Sequence, residues 1–168
     1  MSVWIRALCT RTVADVTPAD LAAGIAERLP LVASLYGEEG AEEVARRLRI
    51  EGQAPMSAWE LFYRGDEASI GLERWSKPGE VREEVDELLE TLADSDEDGV
   101  EDVRELLGQV VETVAFELKL SDCEGMGWPV AIAAAAVLAA RGEGIIQADG
   151  EGWMVPEGKE IEHVLDGD

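Results

Sequence analysis

The sequence predicts an α+β fold: a small, mostly antiparallel sheet with several helices packed on one face, and a C-terminal helix followed by a short β-hairpin. The 168 residues suit a single globular domain, 1–168, and the 46% of apolar residues are enough to build its core. Short segments of alternating apolar residues are joined by tight turns, which favours antiparallel pairing. The segments follow the order strand, helix, two strands, several helices and hairpin, whereas a parallel sheet needs strands and helices that alternate regularly.

The N-terminal part begins with a predicted strand and continues with helices. Apolar residues alternate over residues 3–9, the pattern of a half-buried strand. Thr17 is a good N-cap and Pro18 a good first residue for a helix over about 18–35. Because Pro30 lies inside that helix, we expect a kink or a break there. A short helix is predicted over 42–48.

The middle of the chain is predicted to contain a hairpin and two acidic helices. Residues 58–64 and 69–75 are rich in aromatic and aliphatic side chains and flank the turn-like pair Gly65-Asp66. Pro78 then starts a helix that runs to about residue 93. Apolar residues at helical spacing predict a second helix over about 100–120.

The C-terminal part is predicted to form an alanine-rich helix and a second hairpin. Pro129 starts the helix and Gly142 ends it, and residues 144–148 and 152–155 pair across a turn. From about residue 157 the polar tail is expected to be frayed. This order of two helices and a hairpin is that of a winged helix-turn-helix, but the second helix offers only Arg141 to phosphates. We therefore expect no nucleic-acid binding.

The net charge of −23 is concentrated in one part of the chain. Residues 79–117 contain 15 acidic and 2 basic residues, whereas residues 1–36 are neutral. Such a charge repels nucleic acids and anionic lipid surfaces, and it attracts a basic protein or a hard cation. The candidate partner-binding residues are the acids of this segment together with Trp153, which is expected to be an exposed anchor on the hairpin: Glu80, Glu83, Glu84, Glu87, Glu90, Asp94, Asp96, Glu97, Asp98 and Trp153.

Residues 94–105, DSDEDGVEDVRE, place acidic residues at alternate positions around a glycine. The segment resembles the calcium-binding loop of the EF-hand family. The resemblance implies a calcium site whose ligands come from loop positions one, three, five, nine and twelve: Asp94, Asp96, Asp98, Asp102 and Glu105. Glu101 stands where the family has an apolar residue, so the apolar pattern is offset by one residue from the carboxylates.

No catalytic constellation is recognisable, and we expect a protein that is not an enzyme. His163 is the only histidine and is interpreted as a surface residue, and Cys9 and Cys123 match no metal or redox spacing. We expect two buried thiols in a reducing cytoplasm. The longest apolar run, residues 128–140, is shorter than the roughly 20 residues that cross a bilayer, and no signal peptide is visible.

Together these patterns predict a cytoplasmic protein-binding or inhibitor module whose acidic helix pair, residues 79–117, faces a basic protein partner. Bacterial immunity proteins and nucleic-acid mimics use the same strategy, and the likeness is one of charge and size. Two alternatives stay open. One is a calcium-binding domain that uses loop 94–105 and has no other cofactor. The other is a structural protein whose charge maintains its solubility. The sequence leaves the oligomeric state undetermined.

Overall fold

Eight strands of the described residues, 1–65 and 69–167, form one antiparallel sheet in this computed structural model. The strands are β1 (Ser2–Cys9), β2 (Arg49–Glu51), β3 (Ala58–Phe62), β4 (Ser69–Trp75), β5 (Glu112–Lys119), β6 (Ile145–Ala148), β7 (Gly152–Glu157) and β8 (Glu160–Asp166). Their order across the sheet is β2-β3-β4-β5-β1-β6-β7-β8. The predicted α+β class with antiparallel pairing is confirmed. The predicted turn at Gly65-Asp66 runs into residues 66–68, which lie outside the described residues.

The helices are α1 (Pro18–Leu35), α2 (Ala41–Arg47), α3 (Pro78–Thr91), α4 (Val100–Leu107) and α5 (Gly127–Arg141), with a 3-10 turn at Leu120–Asp122. Helix α1 begins with a capping box, in which the Asp20 amide donates to the Thr17 hydroxyl at 3.0 Å and the Thr17 amide donates to the Asp20 carboxylate at 3.2 Å. The break expected at Pro30 does not occur, because α1 continues through it to Leu35.

Helices α1, α2 and α5 cover one face of the sheet. Beneath them lie fully buried side chains of the two central strands, among them Ile5 on β1 and Phe116 on β5. Helices α1 and α5 pack closely at Gly24 of α1. A Cβ added there would lie 2.7 Å from a methyl carbon of Val137 on α5. This layer is the main core, and it matches the prediction of several helices on one face.

Helices α3 and α4 pack on the opposite face, an arrangement that the sequence did not predict. Alternation along β1 directs Leu8 into a second core cluster, away from its neighbours Ala7 and Cys9. This second cluster joins the apolar sides of α3 and α4 to strands β1, β6, β7 and β8. Its buried members include Val85, Leu107, Ile145 and Leu165.

The helix predicted over 100–120 is wrong in its second half. Helix α4 ends at Leu107, before Gly108, and residues 112–119 form β5 between β4 and β1. The apolar residues of 103–114 fit helical spacing, but the segment after Gly108 is rich in β-branched residues and alternates with period two. Val114, Phe116 and Leu118 lie in the main core, whereas the exposed Glu117 faces the other side of the sheet.

The tail expected to be frayed from about residue 157 forms the edge strand β8. Its pairing with β7 runs from Glu157–Glu160 to Gly152–Asp166. Leu165 is buried in the second core cluster, and the Arg28 guanidinium donates to the Gly158 carbonyl at 2.6 Å. Strand pairing, apolar burial and the hydrogen bond from Arg28 therefore hold a segment whose polar composition resembles that of a loose tail.

A buried ion pair connects β4 to β5 on the face of the sheet that α1, α2 and α5 cover. Glu112 is 5% exposed and accepts hydrogen bonds from Arg74 Nη1 at 2.9 Å, from the Thr12 hydroxyl at 2.6 Å and from the Val13 amide at 2.9 Å. Removal of one charge from such a pair leaves the other buried without a partner.

We predict that Glu112→Gln lowers the free energy of unfolding by about 3 kcal/mol, because the Arg74 guanidinium then loses its buried counter-charge. Asp86→Asn is the matched control: Asp86 pairs with Arg82 at 3.9 Å on the surface, so its loss costs about 0.5 kcal/mol or less. Urea denaturation of both variants measures the difference. Equal losses would show that the Glu112 pair is no stronger than a surface pair.

The two cysteines differ in exposure and therefore in predicted reactivity. Cys9 is buried, and that burial, followed by the charge of Glu112, raises the pKa of its thiol from 9.0 to about 12. Cys123, also expected to be buried, is partly exposed. We predict that a thiol reagent near neutral pH modifies Cys123 in the native protein and reaches Cys9 only after unfolding. The protonated Cys9 thiol favours the folded state below pH 9.0, and this contribution is lost as pH rises towards 12.

Candidate functional site

An open part of the sheet lies beside α3, on the face that carries the second core cluster. Strands β3, β4 and β5 direct the exposed carboxylates of Glu60, Glu73 and Glu117 onto it. Together with the half-buried Trp4 they line a depression of about 270 Å³. Its floor is low at Gly71, where an added Cβ would meet no atom within 4 Å. This region of the sheet is therefore an uncovered concave surface.

The wall of this surface is one side of α3. Val81, Val85 and Leu88 fix the helix to the second core cluster, and the glutamates that follow at helical spacing line its open side. They enclose, with Glu73 and the half-buried Trp75 of β4, a cavity of about 440 Å³. Its lining residues are Glu73, Trp75, Glu80, Glu83, Glu84 and Glu87. The structure thus brings together four of the acidic residues that the sequence singled out.

A third cavity, of about 410 Å³, continues along α3 to the turn between β6 and β7. Arg6 of β1 lies on its floor. The Arg6 guanidinium forms an ion pair with Glu84 of α3, and its Nη1 donates to Gln147 Oε1 at 2.6 Å and to Asp149 Oδ1 at 3.1 Å. Asp149 in turn accepts from the Trp4 amide at 3.0 Å. Arg6 therefore links α3 to the β6–β7 turn across the sheet.

The three cavities adjoin one another, because the first two share Glu73 and the last two share Glu84 and Glu87. We call this surface the acidic groove. Its polar and aromatic lining residues are Trp4, Arg6, Trp59, Glu60, Glu73, Trp75, Glu80, Glu83, Glu84, Glu87, Thr91, Glu117, Gln147, Asp149, Trp153 and Asp166. The sheet residues of this set were missed from the sequence, although Glu60 stands between two apolar residues of β3, Trp59 and Leu61.

Several predicted partner-binding residues lie elsewhere. Glu90 is exposed on α3 and does not line the groove, and the exposed acids of the α3–α4 turn lie beyond it: Asp94, Asp96, Glu97 and Asp98. The expectation that Trp153 is an exposed anchor is wrong. It is 4% exposed and borders the third cavity only from within the second core cluster, because β7 directs its side chain beneath α3 and α4.

Loop 94–105 is arranged around an arginine in this structure. The Arg104 guanidinium pairs with Glu101 and donates to the carbonyl oxygens of Leu92, Ala93 and Ser95. Within residues 1–65 and 69–167, no group of three or more His, Cys, Asp or Glu side chains is placed to hold a metal ion. The proposed ligands of this loop, Asp94, Asp96, Asp98, Asp102 and Glu105, are all exposed, and calcium binding stays a prediction from the sequence.

A second polar cluster lies on the other face, around Glu151 in the β6–β7 turn. Glu151 accepts from the Tyr36 hydroxyl at 2.6 Å and from Trp128 Nε1 at 3.2 Å, and His163 Nε2 lies 3.2 Å from the same carboxylate. Burial, followed by the bond to Glu151, raises the pKa of Tyr36. The cluster connects α1 and α5 to the C-terminal strand, and His163 is exposed as predicted.

Comparison of the chain with protein-family models, with curated proteins and with solved structures finds no match. The groove is therefore interpreted from its own chemistry. In the part of the chain that the structure describes, no helix combines the length and the apolar character that a membrane span requires.

We predict that Arg6→Ala lowers the free energy of unfolding by about 3 kcal/mol, because Glu84 and Asp149 then lose the cation between them in a half-buried place. Arg11→Ala is the control, since it removes the same charge from an exposed pair with Glu143 at 3.3 Å and costs about 0.5 kcal/mol or less. Denaturant melts of both variants at the same ionic strength measure this. A loss for Arg6→Ala no larger than for Arg11→Ala would contradict a role of Arg6 in holding α3.

Proposed function

We propose that this protein is an acidic protein-binding or inhibitor module that binds a basic partner protein through the acidic groove. The observation that carries the proposal is the convergence of carboxylates from α3 and from three strands on one open surface. Carboxylates and the half-buried indoles of Trp4 and Trp75 predominate in two of its cavities, a set suited to cationic side chains. An immunity-type role, in which the module neutralises a basic protein, is the particular form that we favour.

The distribution of charge supports binding of a cationic protein. The net charge of −23 gives the whole molecule a field that accelerates the approach of a basic partner. The groove concentrates this field, because Glu73 faces Glu80 and Glu83 around the same cavity. Carboxylates held close together repel one another, and the positive charges of a partner relieve that repulsion when they bind.

The two half-buried tryptophans of the groove, Trp4 and Trp75, support protein binding over simple solubility. Trp4 and Trp75 are each half-buried, so each offers part of an indole to the groove while the rest packs against the protein. Large aromatic side chains surrounded by polar groups are typical of the residues that dominate binding energy at interfaces. Partly exposed indoles do not increase solubility, so charge for solubility alone does not explain why they lie among the carboxylates.

We also propose a non-catalytic role in the cytoplasm. Both cysteines are free thiols, which fits a reducing compartment. The described lining residues offer carboxylates without an adjacent nucleophile, an arrangement suited to binding.

We predict that the triple variant Glu80→Lys/Glu83→Lys/Glu87→Lys weakens the partner's affinity at least about tenfold and flattens its salt dependence. The partner is captured from the native host at low ionic strength, purified, and titrated calorimetrically at low and high salt. The matched control, Asp96→Lys/Glu97→Lys/Asp98→Lys, changes the net charge equally but lies outside the groove, so it weakens binding much less.

Two results would contradict the proposed function. One is an equal loss of partner affinity in the variant with three lysines in the groove and in the control variant with three lysines in the α3–α4 turn. That result would assign the effect to net charge alone. The other is the absence of any basic protein whose capture depends on salt, a result that favours a structural protein whose charge maintains solubility. A rise in melting temperature on adding calcium, abolished by Glu105→Gln, would instead support the loop at 94–105.

A further inference from the structure

The acidic groove has a definite length and an open floor. Its α3 wall extends from Glu80 to Thr91, a distance of about 16 Å at 1.5 Å per residue. An extended chain advances 3.3 Å per residue, so about five residues match this length. The floor is uncovered sheet, and Gly71 leaves space for a partner's atoms directly against β4.

Arg6 shows how the groove holds a guanidinium. Its side chain rises from β1 and is held between Glu84 of α3 on one side and Gln147 and Asp149 of β6 and its turn on the other. The separation between the helix wall and the sheet therefore accommodates one guanidinium whose donors reach both sides. Arginine suits this geometry because its planar group donates in several fixed directions.

The cavity around Trp75 repeats this arrangement one helical turn away, with its cation missing from the chain itself. Glu80 and Glu83 of α3 lie on one side and Glu73 of β4 on the other, as Glu84 and Asp149 lie around Arg6. Among the described residues, these three glutamates form no ion pair. The two arginines nearest in sequence form ion pairs elsewhere. Arg74 pairs with Glu112 on the face of the sheet that α1, α2 and α5 cover, and Arg82 pairs with Asp86.

We propose that the acidic groove binds an extended, arginine-containing segment of the partner, about five residues long, with one arginine side chain in the cavity around Trp75. This inference rests on the proposed function and specifies the partner segment. The indole of Trp75 lines the cavity and is the aromatic partner for the guanidinium, and Glu73, Glu80 and Glu83 supply the acceptors. A lysine ammonium in the same cavity keeps the charge but loses the planar contact with the indole.

The test uses two fluorescein-labelled peptides, Gly-Arg-Gly-Arg-Gly and Gly-Lys-Gly-Lys-Gly, and the intact protein. Fluorescence anisotropy at low salt is expected to give several-fold tighter binding of the arginine peptide. Gly71→Phe fills the groove floor without a change of charge, and it is expected to weaken binding about tenfold or more. Ala19→Phe, on the exposed start of α1 on the other face, is expected to leave binding unchanged.

A second measurement on the unaltered protein guards against misfolding of Gly71→Phe. Addition of the arginine peptide is expected to shift the backbone amide resonances of Gly71 and Trp75, and to leave those of α1 in place. Resonance shifts confined to the α3–α4 turn would overturn the inference. Equal affinity for the two peptides would overturn the assignment of an arginine.

The outcomes separate this inference from the proposed function. If Glu80→Lys/Glu83→Lys/Glu87→Lys abolishes partner binding while Gly71→Phe has no effect and the Gly71 resonance does not move, the basic partner stands and the extended segment in the groove is wrong. If that triple variant changes neither the affinity for the partner nor the affinity for the peptides, both proposals are wrong.

Discussion

The contact between Arg6 and Glu84 connects the open side of α3 to the sheet, and the groove depends on the position of that helix. Apolar side chains of α3 hold its inner side against the second core cluster, but they leave its open side without a link to the sheet. Arg6 provides that link from the central strand, and it extends the link to the β6–β7 turn through Gln147 and Asp149. Because the pair is largely buried, the loss of either charge leaves the other without a partner. Arg6 is also the one cation among the described groove-lining residues. Its positive charge offsets the repulsion between the carboxylates of α3 and those of the sheet.

Alternation along the central strands explains why the two faces differ so strongly. Ile5 and Ala7 of β1 enter a closed core beneath α1 and α5, whereas Trp4 and Arg6 face the side that α3 and α4 cover only in part. The main core contains the alanine-rich α5 and is closely packed. The second face combines a smaller core with uncovered sheet. One face therefore supplies most of the apolar burial, and the other carries the acidic groove.

The sequence predicted the elements better than their arrangement. Local signals, such as the Thr17 cap and the alternation over residues 3–9, identified α1 and β1 correctly because the physics that forms them is local. The helix predicted over 100–120 was wrong because β-branched residues after Gly108 satisfy two periodicities at once, and only the pairing with β1 and β4 decides between them. Only one side of the acidic groove could be predicted from the sequence. The charge of residues 79–117 indicated its helical wall, but Glu60, Glu73 and Glu117 meet only through strand register.

A preformed groove gives this charge a use that a flexible acidic segment lacks. The carboxylates of the groove stand on a helix and on strands of a continuous sheet, so little conformational freedom remains to be lost when a partner binds. Their mutual repulsion is already present in the free protein, and the apolar contacts of α3 together with Arg6 offset it. Under the proposed function, a cationic segment meets an electrostatic site in its final geometry, and the attraction contributes to affinity as well as to the rate of association. Exposed acids in the turn after α3 contribute to the long-range field, but they lack a facing wall and cannot enclose a side chain.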